Sequence, residues 1–222
     1  MAITRLLLVR HGATTATEEG RFSGSSGAEL SDEGRWQAAR LGERLSKEPI
    51  TAIYASPLSR ALDTAQIIGT HCGLSPIVRD GLREIGHGHW EGMKRVDVER
   101  EFADEYAAYD ADPFTFAPRD GESGVAVLAR ALPVVREIVS AHPGGRVVAV
   151  SHKATLRLVL SSLHGFDARG YRDRLDQAPA CLNVVDFRDP VRARLMLFND
   201  TSHYEAHPRV GHPSLSRWWD RP

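Results

Sequence analysis

Three short apolar runs, separated by long amphipathic stretches, constrain the fold of this chain more than any other feature of its sequence. They are LLLV at 6–9, TAIYAS at 51–56 and VVAV at 147–150. Continuous apolar character, as opposed to alternation, is typical of strands buried on both faces of a parallel sheet. Helical patterns lie between these runs. We therefore predict an α/β protein whose mostly parallel sheet is covered by helices on both faces.

The start and stop signals of the helices agree with this order of elements. Ser31 is predicted to cap a helix that stops before Pro49, and Ser56, followed by a proline, to cap the next one. The remaining predicted elements are a helix at 94–109, a helix from Ser123 that Pro133 should kink or break, and paired strands at 180–188 and 192–200. No repeat or linker divides the chain, so we predict a single domain over 1–222 with a lid-like insertion at about 90–122.

The charge balance and the cysteines limit the classes of partner and compartment. The 222 residues include 28 Lys and Arg against 29 Asp and Glu, which gives a formal net charge of −1. This excludes an overall positive field of the kind that holds nucleic acid or an anionic membrane. The apolar run at 6–9 is too short for a signal peptide or a membrane span. Cys72 and Cys181 match neither a disulfide framework nor a metal pair, so we expect a cytoplasmic protein.

Basic side chains follow the predicted strands at the edge where parallel sheets bind ligands. Arg10 and His11 follow the first strand, His152 follows the third, and Arg60 lies in the first turn of the helix after the second. Each alone has an ordinary structural explanation, but together they predict a cationic pocket for a phosphoryl group. The guanidinium fork matches phosphate oxygens, and a neutral imidazole can attack phosphorus. Glu84, in a Gly-rich loop, is the best candidate for the proton donor.

An ordered set of motifs then relates the chain to a known family. The motifs are LLLVRHGATT, GRFSG, LSDEGRWQA, YASPLSRALDTA, LREIGHGHWEGM, DGES and VVAVSHKATLR. This set, in this order and over nearly the whole chain, resembles the histidine phosphatase superfamily, also called the phosphoglycerate mutase-like family. The resemblance implies a three-layer α/β/α fold and no metal, and for a phosphatase of this family we expect no cofactor.

The resemblance also implies roles for individual residues. It makes His11 the nucleophile that forms a phosphohistidine, and Glu84 the proton donor. Arg10, Arg60 and His152 would bind the phosphoryl group. Ser23 and Gly24 lie where the family has a loop that approaches the phosphate with backbone donors.

The chain departs from the common family pattern at several positions. Ala13, Ala16 and Thr17 replace the Glu, Trp and Asn of many members, and Thr17 can supply one hydrogen bond in place of the Asn. Lys153 follows His152 where mutases commonly have Gly, and it points either to solvent or into the pocket.

The same pocket supports a hydrolase or a mutase, because a phosphohistidine can be discharged to water or to a second hydroxyl. The chain has EIGHGHWEGM in place of the mutases' ERHYG-type segment, and it lacks their Pro-rich insertion. We therefore favour a metal-independent phosphatase for a small-molecule phosphate ester, with a cofactor-dependent phosphoglycerate mutase as the alternative. The subunit arrangement is left open, with a homodimer as one option.

The histidines outside the main motifs leave the substrate and one other function class open. His87 and His203 are candidates for binding a substrate carboxylate, as in phosphoserine, and His89 either joins them or holds a loop. A metal-dependent hydrolase would use His87, His89, His203 and Glu84, but their spacing fits no metal motif. A catalytically inactive binding module is disfavoured because the five principal site residues are all retained.

Overall fold

A mixed six-stranded sheet is the centre of the computed structural model, which describes residues 2–15, 21–24 and 27–205. The strands are β1 (Thr4–Arg10), β2 (Ala52–Ala55), β3 (Pro76–Val78), β4 (Arg146–Ser151), β5 (Leu182–Phe187) and β6 (Ala193–Asp200). Their order is β3-β2-β4-β1-β5-β6, with the first four parallel and β5 and β6 antiparallel to their neighbours. The mostly parallel sheet predicted from the apolar runs is confirmed, and so is the terminal strand pair.

Helices cover both faces of this sheet. They are α1 (Asp32–Leu45), α2 (Ser59–Cys72), α3 (Arg95–Glu101), α4 (Ala103–Ala111), α5 (Gly124–Ala141), α6 (Lys153–His164) and α7 (Tyr171–Arg174). Successive residues of a strand point to opposite faces. Leu6 and Leu8 of β1 therefore pack with α5 and α6, whereas Leu7 and Val9 pack with α1 and α2. The three-layer α/β/α arrangement is confirmed.

The helix starts are partly as predicted. Ser31 caps α1, and its side chain accepts a hydrogen bond from the Gly34 amide. The prediction for Ser56 is wrong, because α2 begins at Ser59 with Leu58 at the cap position. The Ser56 amide still donates to the carbonyl of Val150, so this residue continues the extended path of β2. Its hydroxyl is thereby left at the edge of the sheet.

Two predicted helices differ in detail. The stretch 94–109 forms two helices, α3 and α4, because the backbone leaves helical geometry at Phe102 (φ −129°, ψ 48°). The helix from Ser123 exists, but it continues without a break through Pro133. Pro133 is exposed, so water can solvate the carbonyl that loses its intrahelical partner. Among the described residues, no helix is long and apolar enough to cross a membrane.

Candidate active site

Two histidines meet where β1 and β4 end side by side. Arg10 lies opposite Ser151 in the parallel register, so the residues that follow, His11 and His152, leave the sheet together. Their ring centroids are 5.1 Å apart, and both side chains are buried. The predicted pairing of these histidines at one edge of the sheet is therefore what the structure shows.

The hydrogen bond of His11 fixes which ring nitrogen is available for chemistry. Nδ1 of His11 lies 2.7 Å from the carbonyl oxygen of Gly12. A carbonyl only accepts, so Nδ1 must carry the proton, and Nε2 of the neutral ring keeps its lone pair. His152 contacts the hydroxyl of Ser56 through Nε2 at 2.7 Å. The ring of His11 therefore has a free lone pair at Nε2, and His152 is held beside it by Ser56.

Two buried guanidinium groups flank the histidines. Nη1 of Arg10 donates to the carbonyl of Gln177 at 2.6 Å, and Nη2 of Arg60 donates to the carbonyl of Gly24 at 2.6 Å. Burial lowers the pKa of both arginines, but from a value far above neutral pH. Arginine stays protonated at neutral pH even in such settings. The pocket therefore carries two fixed positive charges in a region shielded from water.

Burial and these charges keep both imidazoles neutral. Burial is the main cause that holds the pKa of His11 well below its ordinary value, and the positive charges of Arg10 and Arg60 add to it. Burial also lowers the pKa of His152, with further contributions from His11, Arg60 and Arg10. A neutral His11 has the lone pair that nucleophilic attack needs.

Glu84 lies at the amino-terminal end of α6, the helix that begins directly after His152. Its carboxylate oxygens accept from the amides of Ala154 and Thr155, each at 3.1 Å, and from its neighbour Ile85 at 3.0 Å. Its negative charge partly opposes the lowering of the pKa of Arg10 and Arg60 by burial, which places it close to the phosphoryl pocket. The structure thus brings the predicted proton donor to the edge of the predicted pocket.

Arg130 of α5 supports the segment that carries Glu84. It donates to the carbonyls of Gly81, Arg83 and Glu84 at distances of 3.0, 2.8 and 2.9 Å. It also pairs with both carboxylate oxygens of Glu122, at 2.9 and 2.8 Å. One side chain thereby fixes the backbone on which the candidate proton donor stands.

The loop at Ser23 and Gly24 reaches the site in a different way from the one predicted. The amide of Gly24 donates to Glu91 at 3.0 Å, so it is already engaged, and both residues turn their carbonyls toward Arg60. A Cβ on Gly24 would lie 2.1 Å from the carbonyl oxygen of Ile85, which explains the glycine. Thr17 lies outside the described residues.

The three additional histidines have different surroundings. His87 is buried with its ring 4.9 Å from that of Phe22. Burial lowers its pKa against the opposing charges of Glu91 and Glu84, so His87 borders the site. His89 contacts the carbonyl of Arg119 and the carboxylate of Glu105, which gives it a loop-holding role.

His203 lies among different charges. Burial and Arg44 of α1 lower its pKa to about 4, while Asp200 of β6 opposes them. Ala180 is also among its neighbours, and the Ala180 amide donates to the carbonyl of His11 at 3.0 Å, so His203 lies near the site on the side of His11. The residues described also contain no group of three or more His, Cys, Asp or Glu side chains arranged to hold a metal.

Lys153 has an acidic partner that the sequence did not reveal. Its Nζ pairs with Oδ1 of Asp176 at 3.1 Å, and Nη2 of Arg157 contacts the same oxygen at 2.8 Å. Sequence reasoning missed this acidic partner, as it missed Ser56, Gln177 and Arg130. Ser56 alone had a usable signal, because it ends a parallel strand at the ligand-binding edge.

Comparison with known proteins agrees with this geometry. Residues 6–201 match the family model of the histidine phosphatase superfamily (branch 1). Phosphoserine phosphatase 1 of Hydrogenobacter thermophilus is 33% identical over 165 residues, which cover 74% of this chain and 78% of that protein. Glucosyl-3-phosphoglycerate phosphatase of Mycobacterium tuberculosis is 36% identical over 171 residues, covering 73% and 76%. The solved structure of Bacillus stearothermophilus YhfR superposes with a TM-score of 0.85 at 30% identity, covering 91% of this chain and 100% of that one.

Proposed function

The chain belongs to the histidine phosphatase superfamily, branch 1, and we propose that it hydrolyses small phosphate monoesters through a phosphohistidine on His11. One observation carries this proposal. The hydrogen bond from Nδ1 of His11 to Gly12 leaves Nε2 unprotonated beside the guanidiniums of Arg10 and Arg60. The names of the relatives, phosphoserine phosphatase and glucosyl-3-phosphoglycerate phosphatase, support a small phosphorylated metabolite as substrate.

In the first step, Nε2 of His11 attacks phosphorus and the bond between phosphorus and the ester oxygen breaks. Arg10 and Arg60 stabilise the charge on the three non-bridging oxygens, and His152 adds a hydrogen bond. Protonated Glu84 transfers its proton to the leaving alkoxide, which departs as an alcohol. The negative charge remaining on Glu84 is stabilised by the amides at the start of α6.

In the second step, water attacks the phosphohistidine and the bond between phosphorus and Nε2 breaks. The Glu84 carboxylate accepts a proton from this water, so the acid of the first step is regenerated. Inorganic phosphate leaves, and His11 returns to its neutral form. Among the described side chains, Arg10 and Arg60 supply positive charge of the kind that a metal ion supplies in other hydrolases.

The segment from 90 to 122 is the proposed cover of this pocket. Tyr109 of α4 packs against Phe22, whose ring also contacts His87 at the border of the site. Arg172 of α7 lies over the Tyr109 ring at 4.8 Å and pairs with Asp110. These contacts support a lid-like insertion within one domain that spans 1–222.

The cysteines bear on the compartment. Cys72 and Cys181 form no disulfide, which supports a cytoplasmic location. A homodimer stays a prediction for the subunit arrangement.

A trapping experiment tests the proposed intermediate. The protein is mixed with a ³²P-labelled alkyl phosphate and quenched in alkali within milliseconds, since phosphohistidine is labile to acid. We expect label on His11 and none in His11→Ala, which should also lose turnover. His71→Ala, which removes an exposed histidine of α2, is the matched control and should behave like the unmodified protein. Turnover by His11→Ala at the normal rate would refute the proposal.

The mutase alternative is tested with the same preparation. A mutase needs a second hydroxyl as phosphoryl acceptor and depends on a phosphorylated cofactor such as 2,3-bisphosphoglycerate. We expect release of inorganic phosphate that this compound does not stimulate. Conversion of 3-phosphoglycerate to 2-phosphoglycerate at a rate above that of phosphate release would favour the mutase.

A further inference from the structure

Two cations on one face of α6 converge on a single carboxylate. Lys153 and Arg157 are four residues apart, so their side chains lie on the same side of the helix. Like charges at this spacing ordinarily destabilise a helix. Both side chains contact the same oxygen of Asp176, Oδ1, at 3.1 and 2.8 Å. The pair and Asp176 together keep a formal charge of +1.

This pair is next to the phosphoryl pocket. Lys153 directly follows His152, and Asp176 directly precedes Gln177, whose carbonyl binds Arg10 at 2.6 Å. Burial and the positive charges of Arg157 and Arg10 lower the pKa of Lys153 to about 8, against the opposing effect of Asp176. Arg10 thus acts electrostatically on Lys153, and it is also hydrogen-bonded to the residue next to Asp176, so the two cations lie close together.

The two cations have hydrogen-bond donors left after Asp176 is satisfied. Lysine has three donors and arginine five, and each contact with Asp176 uses one. Within the described part of the chain, the buried Nε of Arg157 has no hydrogen-bond partner. The Arg157 side chain is 8% exposed and that of Lys153 is 23% exposed, whereas Asp176 is 48% exposed. Lys153, the more exposed of the two cations, therefore has donors that a second anion can reach while Asp176 stays in place, and buried Arg157 adds positive charge behind it.

We propose that Lys153 and Arg157 form a subsite for a carboxylate on the alcohol portion of the substrate. This deepens the proposed phosphatase function and rests on it. The net charge of +1 matches a singly charged carboxylate better than a second, doubly charged phosphate. The substrate class is therefore a phosphate monoester of a small hydroxy acid. Carboxylate recognition is thereby assigned to α6 and not to His87 or His203.

A matched pair of esters tests the subsite. 3-Phosphoglycerate and glycerol 1-phosphate differ only in a carboxylate that replaces a hydroxymethyl group. We expect the unmodified enzyme to hydrolyse 3-phosphoglycerate with at least tenfold higher kcat/KM. Lys153→Met and Arg157→Met should each lower kcat/KM for 3-phosphoglycerate by about 10- to 100-fold, the range for one lost charged hydrogen bond. Most of this loss should be a rise in KM, and the loss with glycerol 1-phosphate, which has no carboxylate, should be at least tenfold smaller.

The controls separate recognition from folding. Lys47→Met and Arg136→Met remove exposed cations of the same types and should leave both esters unaffected. Lys153→Arg keeps the charge and should retain the preference. If Arg157→Met does not fold, Arg157→Lys and the Lys153 variants decide the question through the ratio of the two esters.

Failure of the subsite is distinguishable from failure of the phosphatase proposal. Phosphorylation of His11 without any preference for 3-phosphoglycerate would overturn the subsite alone. Equal losses with both esters in Lys153→Met would likewise overturn it, because they would indicate a structural role. Absence of label on His11 would overturn the phosphatase mechanism itself.

Discussion

Replacing Arg130 with methionine should weaken both the fold and the proton-donor step. Methionine keeps part of the aliphatic bulk but removes the donors to the Gly81, Arg83 and Glu84 carbonyls and to Glu122. Glu122 retains two donors, the Gly86 amide at 3.0 Å and Arg83 at 3.2 Å. Burial opposes the ionised form of Glu122, and hydrogen bonding to Arg130 is the main effect that nevertheless keeps its pKa below the ordinary value.

The size of the effect follows from what is left unpaired. Removing one partner of a fully buried ion pair costs about 3–5 kcal/mol. The Arg130 side chain is 15% exposed and that of Glu122 is 21% exposed, so water can partly replace the lost partner. Hydrogen bonds to backbone carbonyls contribute about 1 kcal/mol each, less where water reaches them. We therefore expect the free energy of unfolding to fall by about 2–4 kcal/mol.

Urea denaturation and a comparison of two substrates measure the two effects. Arg136→Met, six residues further along α5 and exposed, should change the free energy of unfolding by less than about 0.5 kcal/mol. In Arg130→Met, turnover of an alkyl phosphate should fall more than turnover of nitrophenyl phosphate, which needs little help from an acid. A stability loss below about 1 kcal/mol together with an unchanged ratio of the two substrates would refute the reasoning.

The remaining predictions concern the acid, the metal requirement and pH. Glu84→Gln should lower kcat for alkyl phosphates by roughly 10²–10⁴-fold, with a much smaller loss for nitrophenyl phosphate; an equal loss with both would remove Glu84 from its role. Excess EDTA should leave steady-state activity intact, and vanadate should inhibit because it mimics five-coordinate phosphorus; loss in EDTA that zinc restores would contradict this. The preference for 3-phosphoglycerate over glycerol 1-phosphate should decline as pH rises through about 8, because Lys153, beside Arg157, Arg10 and Asp176, loses its charge there. Lys153→Arg should keep the preference constant over that range, and a decline of equal size in this variant would exclude Lys153 as the cause.

The sheet edge that carries His11 and His152 could be predicted from sequence, because the burial of β1 and β4 on both faces shows in the sequence as two apolar runs. A strand covered on both faces needs a continuous apolar run, and such a run shows where the strand ends. His11 and His152 follow two runs of this kind, so their proximity follows from parallel pairing. Ser31 was equally predictable as a cap, because its hydrogen bond to Gly34 is local in sequence.

The supporting contacts could not be predicted because they join distant segments without a periodic signal. Arg130 binds carbonyls 46 to 49 residues earlier in the chain, and carbonyls are present at every position. Asp176 lies 19 residues beyond Arg157 in a segment whose path depends on tertiary packing. The local pattern at Ser56 predicts a helix cap, whereas the sheet holds its backbone in an extended conformation. Tertiary context outweighed the local preference there.

The distribution of partners around the pocket explains how it can remain attractive to a phosphate dianion. Arg10 donates to the carbonyl of Gln177 and Arg60 to that of Gly24, and a carbonyl dipole offsets only part of a guanidinium charge. The carboxylate of Glu84 is bound by amides at the start of α6, where the helix dipole stabilises negative charge. Glu84 can therefore stand near the pocket with its charge partly balanced by α6. The geometry that holds the proton donor thus also preserves positive potential for the phosphoryl group.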